Sequence, residues 1–287
     1  MNRYPKIDLT NATVVITGGA RGIGAATARA FSKRGATVWI GDLDAALAQE
    51  TATSIPRCHA TELNVTSETS WTEFLSTVAI SSGSIDVLVN NAGVMPLGGF
   101  LEQPSELSKL ILDVNVHGPI NGVKAALPGM LEQGRGHIVT VASMAGKLPI
   151  PGMVVYNASK FGAVGLSLAL QHEYANSGVS FSCVMPSAVR TELSSGATLT
   201  GIPTVNPEDV ADAIVNTVHT RAQQVSVPRF VNPAVALMDA VVPERLERLA
   251  RQIFGDRRAL DGINRNARRA YEDRVASQTV ASQGGAE

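Results

Sequence analysis

Short apolar, β-branched runs recur along the chain with helical stretches between them. The runs Thr13–Thr17, Thr37–Ile40, Arg57–Leu63, Ile85–Val89, His137–Ala142, Ser180–Met185 and Gln224–Val227 predict about seven strands. Several are near-continuous in Val, Ile or Leu, the pattern of strands covered on both faces. Between them, Ile23, Ala26, Ala30 and Phe31 share one face of a 3.6-residue period, as do Phe161, Val164, Leu168 and Tyr174. No low-complexity insert or repeat of about 20–50 residues interrupts the series. Such alternation predicts an α/β fold, a doubly wound parallel sheet with helices on both faces, because parallel neighbours require right-handed helical crossovers. Sheets of this kind bind ligands outside the carboxyl ends of their strands. Residues that carry chemistry should therefore follow strands rather than precede them.

The chain changes character after Pro228, where Pro228, Pro233 and Pro243 interrupt it. Leu246, Leu249, Ala250, Ile253 and Phe254 then trace one apolar helix face, with Arg245, Arg248 and Arg251 elsewhere on the wheel. The closing VASQTVASQGGAE reads as a frayed, disordered end. Residues 1–230 are thus expected to form one ligand-binding α/β domain, and 231–287 a helical C-terminal extension.

The segment VVITGGARGIGAATARAF sets Gly18, Gly22 and Gly24 between the first strand and the first helix. Glycine there permits a tight turn, lets the backbone approach a pyrophosphate and lets the helix pack on the strand, while the free N–H groups of the helix start attract negative charge. This is the dinucleotide-binding turn of a Rossmann-type sheet, and it makes 1–230 a dinucleotide-binding domain. Asp42 follows the next strand, 24 residues after Gly18. A carboxylate there accepts from both ribose hydroxyls of an adenosine and repels a 2′-phosphate, which favours NAD. Arg21, a cation inside the turn, pulls towards NADP; repulsion at the ribose is the more direct effect, so NAD is expected rather than NADP.

Ser143 stands at the carboxyl end of the fifth strand, and Tyr156 and Lys160 share one face of the following helix. A phenol with a pKa near 10 is a poor acid/base at neutral pH, and an ammonium one turn away favours the phenolate. Tyr156 and Lys160 therefore read as a proton-transfer pair, with Ser143 placed to hold a carbonyl or alcohol oxygen against the phenol.

With these residues in order, the chain resembles the short-chain dehydrogenase/reductase family from about residue 10 to 228. The carrying motifs are TGGARGIG (Thr17–Gly24), NNAG (Asn90–Gly93), NVHG (Asn115–Gly118), Ser143 and YNASK (Tyr156–Lys160). The resemblance implies an enzyme that moves a hydride between nicotinamide and an alcohol or carbonyl carbon, with Tyr156 as acid/base. It implies that Lys160 lowers the tyrosine pKa and binds the nicotinamide ribose, Ser143 orients the substrate oxygen, and Asn115 holds a water that relays protons. It also implies cofactor contacts from Gly18, Arg21, Gly22, Ile23, Gly24, Asn91, Ala92, Gly93, Pro186 and Thr191, and adenine contacts from Asn64 and Val65. Asn64 stands where the family has aspartate, and Ser187 where it has glycine. The alternative is a non-catalytic NAD-binding sensor or scaffold on the same fold; binding alone has no need of a tuned phenol.

Composition narrows the partners. Twenty-four Lys and Arg against 25 Asp and Glu leave a net charge of −1, with no surplus to hold a phosphate backbone, so nucleic acid is not expected. Cys58 and Cys183 are too sparse for a disulfide framework, and the five histidines lack metal-ligand spacing, so a reducing, cytoplasmic location and no metal are expected. Neither the start of the chain nor any later stretch has the apolar run of a signal or a membrane span. The segments Val94–Gln103, Lys147–Val155 and Leu193–Val205 are rich in Met, Leu, Pro, Gly and Ala, pointing to a small lipophilic secondary alcohol or ketone as substrate. Nine of the 24 basic residues lie between Glu244 and Arg274, interleaved with six acids. That mixture favours packing on the chain's own domain or on a second subunit over peripheral membrane contact or a partner-protein site, and the family resemblance implies a homo-oligomer, dimer or tetramer.

Overall fold

The computed structural model describes residues 4–197, 202–233, 235, 237 and 262–283. The strands β1 (Thr13–Thr17), β2 (Thr37–Asp42), β3 (Cys58–Glu62), β4 (Val87–Asn90), β5 (Gly136–Val141), β6 (Val179–Pro186) and β9 (Gln224–Val227) form one parallel sheet. Its spatial order is β3-β2-β1-β4-β5-β6-β9. Each agrees with a predicted strand to within two residues at either end. Every residue of β1, β4, β5 and β6 is buried, as the apolar runs require, whereas edge strand β3 is only partly covered. A further parallel pair of two-residue strands, β7 (Ala188–Val189) and β8 (Thr204–Val205), lies outside the sheet; nothing in its sequence alternates over a length that would announce a strand.

Successive strand residues face opposite sides, so one sheet serves two cores. Val14, Ile16, Val38 and Ile40 face Phe31, Ala48 and Ile214 from α1 (Gly22–Ser32), α2 (Ala45–Thr53) and α7 (Pro207–Thr220). Val15, Leu88 and Ile138 face Trp71, Phe74 and Met130 from α3 (Glu68–Ser82) and α5 (Gly118–Glu132), with Leu170 of α6 (Val154–Glu173) alongside. Helix α4 (Ser105–Leu112) runs into α5 through a π-helical turn, Asp113–His117. Among the described residues no helix is long and apolar enough to cross a membrane.

The chain winds outward from β1 to β3, then crosses through α3 to β4 on the other side of β1. The carboxyl ends of β1 and β4 are therefore adjacent while the segments that follow them diverge, and a cleft opens there.

The C-terminal reading needs correction. The predicted apolar face Leu246–Phe254 lies outside the described residues. The presumed frayed end instead begins within a helix, α8 (Arg265–Gln283). Tyr271 and Val275, one turn apart, are buried with Val94, Leu110, Ile111 and Val155. Composition suggested disorder, but a four-residue apolar spacing is enough to seat one helix face.

Beneath the sheet, His137 of β5 is fully buried, its ring nitrogens each 2.9 Å from the Ser180 and Thr217 hydroxyls. Burial, helped by the charge of Arg221, pushes its pKa from 6.5 down to about 3. Between those values the unfolded chain holds the extra proton, so acid destabilises the fold by about 1.4 kcal/mol per pH unit from this residue. Urea unfolding from pH 7 to pH 4 should show this loss, and His137→Gln should remove about one proton's worth of slope; an unchanged slope in the variant would refute the assignment.

Candidate active site

Between β1 and α1 the backbone turns so tightly that Gly18 takes φ +63°, and a Cβ on it would lie 2.8 Å from the Ala92 Cα. Both conformation and space exclude a side chain there. Gly24 serves packing instead: its Cβ would meet the Gly18 carbonyl oxygen at 2.1 Å. Asn91, just beyond β4, donates from its amide to the carbonyls of Thr17 (2.9 Å) and Gly18 (3.0 Å). The Thr17 hydroxyl accepts in return from the N–H groups of Asn91 and Ala92, each at 3.0 Å. The two strand ends that open the cleft are thereby tied together. No side chain caps the N-terminus of α1. Its first N–H groups are left to attract an anion in the cleft.

Asp42, at the end of β2, accepts from the N–H groups of Ala20 (3.0 Å) and Asp44 (3.1 Å), which holds its carboxylate on the cleft wall. Arg21 is drawn to Asp44 at 2.6 Å and to Glu192 at 3.2 Å. Glu192 also accepts from Arg274 of α8 at 2.6 Å. Burial tends to raise the Glu192 carboxyl, but the hydrogen bonds and charges of Arg274 and Arg21 outweigh it and hold the group below its ordinary range. Asn64 spends its side-chain oxygen locally, accepting from the Thr66 N–H (3.0 Å) and hydroxyl (2.7 Å), which leaves its amide nitrogen for the cleft. Ser187, in place of the expected glycine, adopts no positive φ; its N–H donates to the Val227 carbonyl at 2.9 Å, so that position needs no glycine here.

Ser143 follows β5 and accepts from the Ala145 N–H at 3.1 Å. Tyr156 and Lys160 project from successive turns of α6 and are 6% and 5% exposed. The Lys160 ammonium donates to the Val141 carbonyl at 3.2 Å and lies 5.7 Å from the centre of the Tyr156 ring. Burial pushes Tyr156 up to about 12, against a lowering by its hydrogen bond with the Ser143 side chain, and the nearby Tyr271 adds to the rise. Burial also pushes Lys160 down to about 8. Desolvation thus governs both groups, and the lowered phenol pKa implied by the ammonium does not hold in this geometry. Asn115, in the π-helical turn, donates to the Val94 carbonyl (2.9 Å) and the Ser159 hydroxyl (3.0 Å) and accepts from the Val94 N–H (2.9 Å). A Cβ on Gly93 would lie 3.2 Å from the Asn115 oxygen and 3.6 Å from the Lys160 nitrogen, so glycine keeps the space between them open.

One cleft of about 550 Å³ gathers all the residues predicted from the sequence except Gly24 and Asn115, which sit behind its wall. Of the expected substrate segments, Val94, Met95, Ile150, Met153, Leu193 and Ile202 line it, and Lys147 does not. Sequence reasoning missed Asp44, Glu192, Tyr271 and Arg274, which also line the cleft. The spacing of Arg268, Tyr271 and Val275 was the available signal for the helix. The turn offers a direct test. Gly24→Ala should lower stability by about 1–3 kcal/mol through overpacking. Gly129→Ala, in α5 with open space around it, should raise stability by about 0.5–1 kcal/mol through helix propensity. Equal melting shifts in the two variants would refute the packing account.

A family model described as short chain dehydrogenase matches residues 12–200. The mouse (Mus musculus) protein 17-beta-hydroxysteroid dehydrogenase 13 is 31% identical over 236 residues, covering 80% of this chain and 78% of that protein. Oxidoreductase UcpA of Salmonella typhimurium is 35% identical over 217 residues, 74% of this chain and 82% of that one. The solved structure of a short chain dehydrogenase/reductase from Burkholderia phymatum in complex with NAD superposes with a TM-score of 0.75 at 24% identity, over 82% of this chain and 95% of that chain. The glycine turn braced by Asn91, the cleft at the switch point and the Ser143, Tyr156 and Lys160 cluster accord with these matches, and the chain belongs to the short-chain dehydrogenase family of oxidoreductases.

Proposed function

We propose that the protein is an NAD(H)-dependent oxidoreductase that interconverts a lipophilic secondary alcohol and its ketone, with Tyr156 as the acid/base. The observation that carries this reading is the gathering of buried Tyr156 and Lys160 and half-buried Ser143 in the same cleft as the glycine turn and Asp42. Asp42, Gly18, Asn91 and Ser143 follow four neighbouring strands, β2, β1, β4 and β5. Three strand spacings, about 14 Å, match the reach of an extended dinucleotide.

The residues present suit that cofactor. The uncapped start of α1 at Gly22 and Ile23 is suited to the pyrophosphate. Asp42 would accept from the adenosine ribose, Asn64 and Val65 would meet the adenine, Lys160 the second ribose, and Pro186 and Thr191 the nicotinamide side. When bound, NAD supplies the hydride acceptor. Two carboxylates, Asp42 and Asp44, face the ribose end, and Arg21 is held by Asp44 and Glu192 rather than presented to a phosphate. This favours NAD over NADP.

Ser143 would orient the substrate oxygen and Tyr156 donate its proton to it during ketone reduction. The Asn115 oxygen and the Lys160 ammonium face the space beside Gly93, where they would pass a proton inward. Val94, Met95, Ile150, Met153, Leu193 and Val275 give the substrate end an apolar lining. The name of the mouse relative specifies a 17-beta-hydroxysteroid, itself a lipophilic secondary alcohol. Leu112 of α4 and Phe161 of α6, both exposed on helices that pack together, support a homo-oligomer, and the free thiols Cys58 and Cys183 fit a cytoplasmic location.

Tyr156→Phe should lower turnover by about 10²- to 10⁴-fold while leaving NAD affinity nearly unchanged by calorimetry. Retained turnover would sink the acid/base role. NAD should raise the melting temperature more than NADP does, and Asp42→Ser should narrow the difference; a larger shift with NADP in the unaltered protein would overturn the cofactor preference.

A further inference from the structure

The described C-terminal helix does more than cover apolar surface. Arg268 of α8 is fully buried, yet the carboxylate nearest its Nε, that of Glu272 at 3.4 Å, is 43% exposed. Its guanidinium instead donates to main-chain carbonyls: Leu193 at 3.1 Å, Ser195 at 2.8 Å, and Met95. The Tyr271 ring stacks 4.6 Å beneath that guanidinium, and its hydroxyl accepts from the Met95 N–H at 2.6 Å. Both backbone polar groups of Met95 are thus satisfied by α8. The second loop is held along its length, since Arg274 binds Glu192 and the Asn264 N–H donates to the Gly196 carbonyl at 2.9 Å.

These two loops build the substrate half of the cleft. Met95 packs in one cluster with Met153 and Tyr156, and Leu193 packs against that cluster. The loops are about a hundred residues apart in sequence, and one buried cation binds carbonyls of both. A helix retained only to cover apolar surface would have no use for a desolvated charge aimed at carbonyls of both loops.

We propose that Arg268 is a positioning residue. By clamping the Met95 and Leu193–Ser195 loops to α8, it fixes the width of the apolar pocket beside Tyr156 and makes α8 a wall that selects for bulky lipophilic alcohols. The substrate part rests on the function proposed above; the clamp does not.

The full-length protein and its Arg268→Gln, Arg268→Lys and Tyr271→Phe variants should be compared by hydrogen exchange and by kinetics with NAD and two probe alcohols, 2-octanol and 2-propanol. In Arg268→Gln, exchange should speed up in peptides spanning both 93–98 and 191–197. KM for 2-octanol should rise about tenfold with kcat within about threefold, and KM for 2-propanol should change less. Arg268→Lys should recover part of both effects. Tyr271→Phe, which removes only the acceptor for the Met95 N–H, should loosen 93–98 alone and keeps the test open if Arg268→Gln does not fold. Unchanged exchange in both peptides would overturn the clamp. Faster exchange with an unchanged KM for 2-octanol, or equal changes for the two alcohols, would overturn the selective wall. Turnover of neither alcohol by the unaltered protein would instead count against the substrate class, and the exchange result would still decide the clamp.

Discussion

The bond pair from the Asn91 amide to the carbonyls of Thr17 and Gly18 is the constraint on which the site depends. At a switch point the chain leaves neighbouring strands in opposite directions, and the carbonyls at their ends lose sheet partners just where a cleft must stay open. A buried carbonyl without a donor is costly, so something must supply one without filling the space. Asn91 does so from the rim while the Thr17 hydroxyl returns the bond. Gly18 is then forced close to Ala92 and into a left-handed conformation, and Gly24 is brought against the Gly18 carbonyl. The glycines are a consequence of that bracing as much as of any ligand.

A second consequence is electrostatic. With the turn pinned, Arg21 leans across the cleft rim to Asp44 and Glu192, and Glu192 in turn meets Arg274. These four groups alternate in sign from β2 to the C-terminal helix. Exposed pairs contribute little each, and the members here are about a third exposed. Their use is geometric: they connect the end of β2 with the C-terminal helix across the cleft rim, and they hold the Arg21 guanidinium between two carboxylates.

How much of this was legible in the chain follows from the range of each interaction. The strands, the glycine turn, Asp42, Ser143 and the Tyr156/Lys160 spacing are local patterns, readable because a strand end or a helix turn sets where the side chain goes. Asp44, Glu192, Tyr271 and Arg274 were not readable, since each acquires its role from a partner tens to nearly two hundred residues away. The C-terminal helix was misread for a related reason. Its mean hydropathy is low and its polar face dominates, so composition points to solvent, and only Tyr271 and Val275 mark the seat. The direction of the Tyr156 shift was missed too, because spacing shows an ammonium nearby and does not show that both groups are sealed from water.

That last point bears on how the site works. Burial favours the neutral form of each member of the pair, lifting the phenol to about 12 and dropping the ammonium to about 8. Both shifts run in the sense that disfavours a phenolate–ammonium pair in the unliganded cleft. In the proposed reaction, a phenol that keeps its proton would serve as the donor to a carbonyl oxygen. Running in the other direction requires a phenolate, and in a desolvated site the phenolate is reached by added positive charge rather than by solvent. In the proposed reaction, Tyr156 would give its proton by virtue of its burial and accept one when the charge beside it changes, which would let one residue serve both directions.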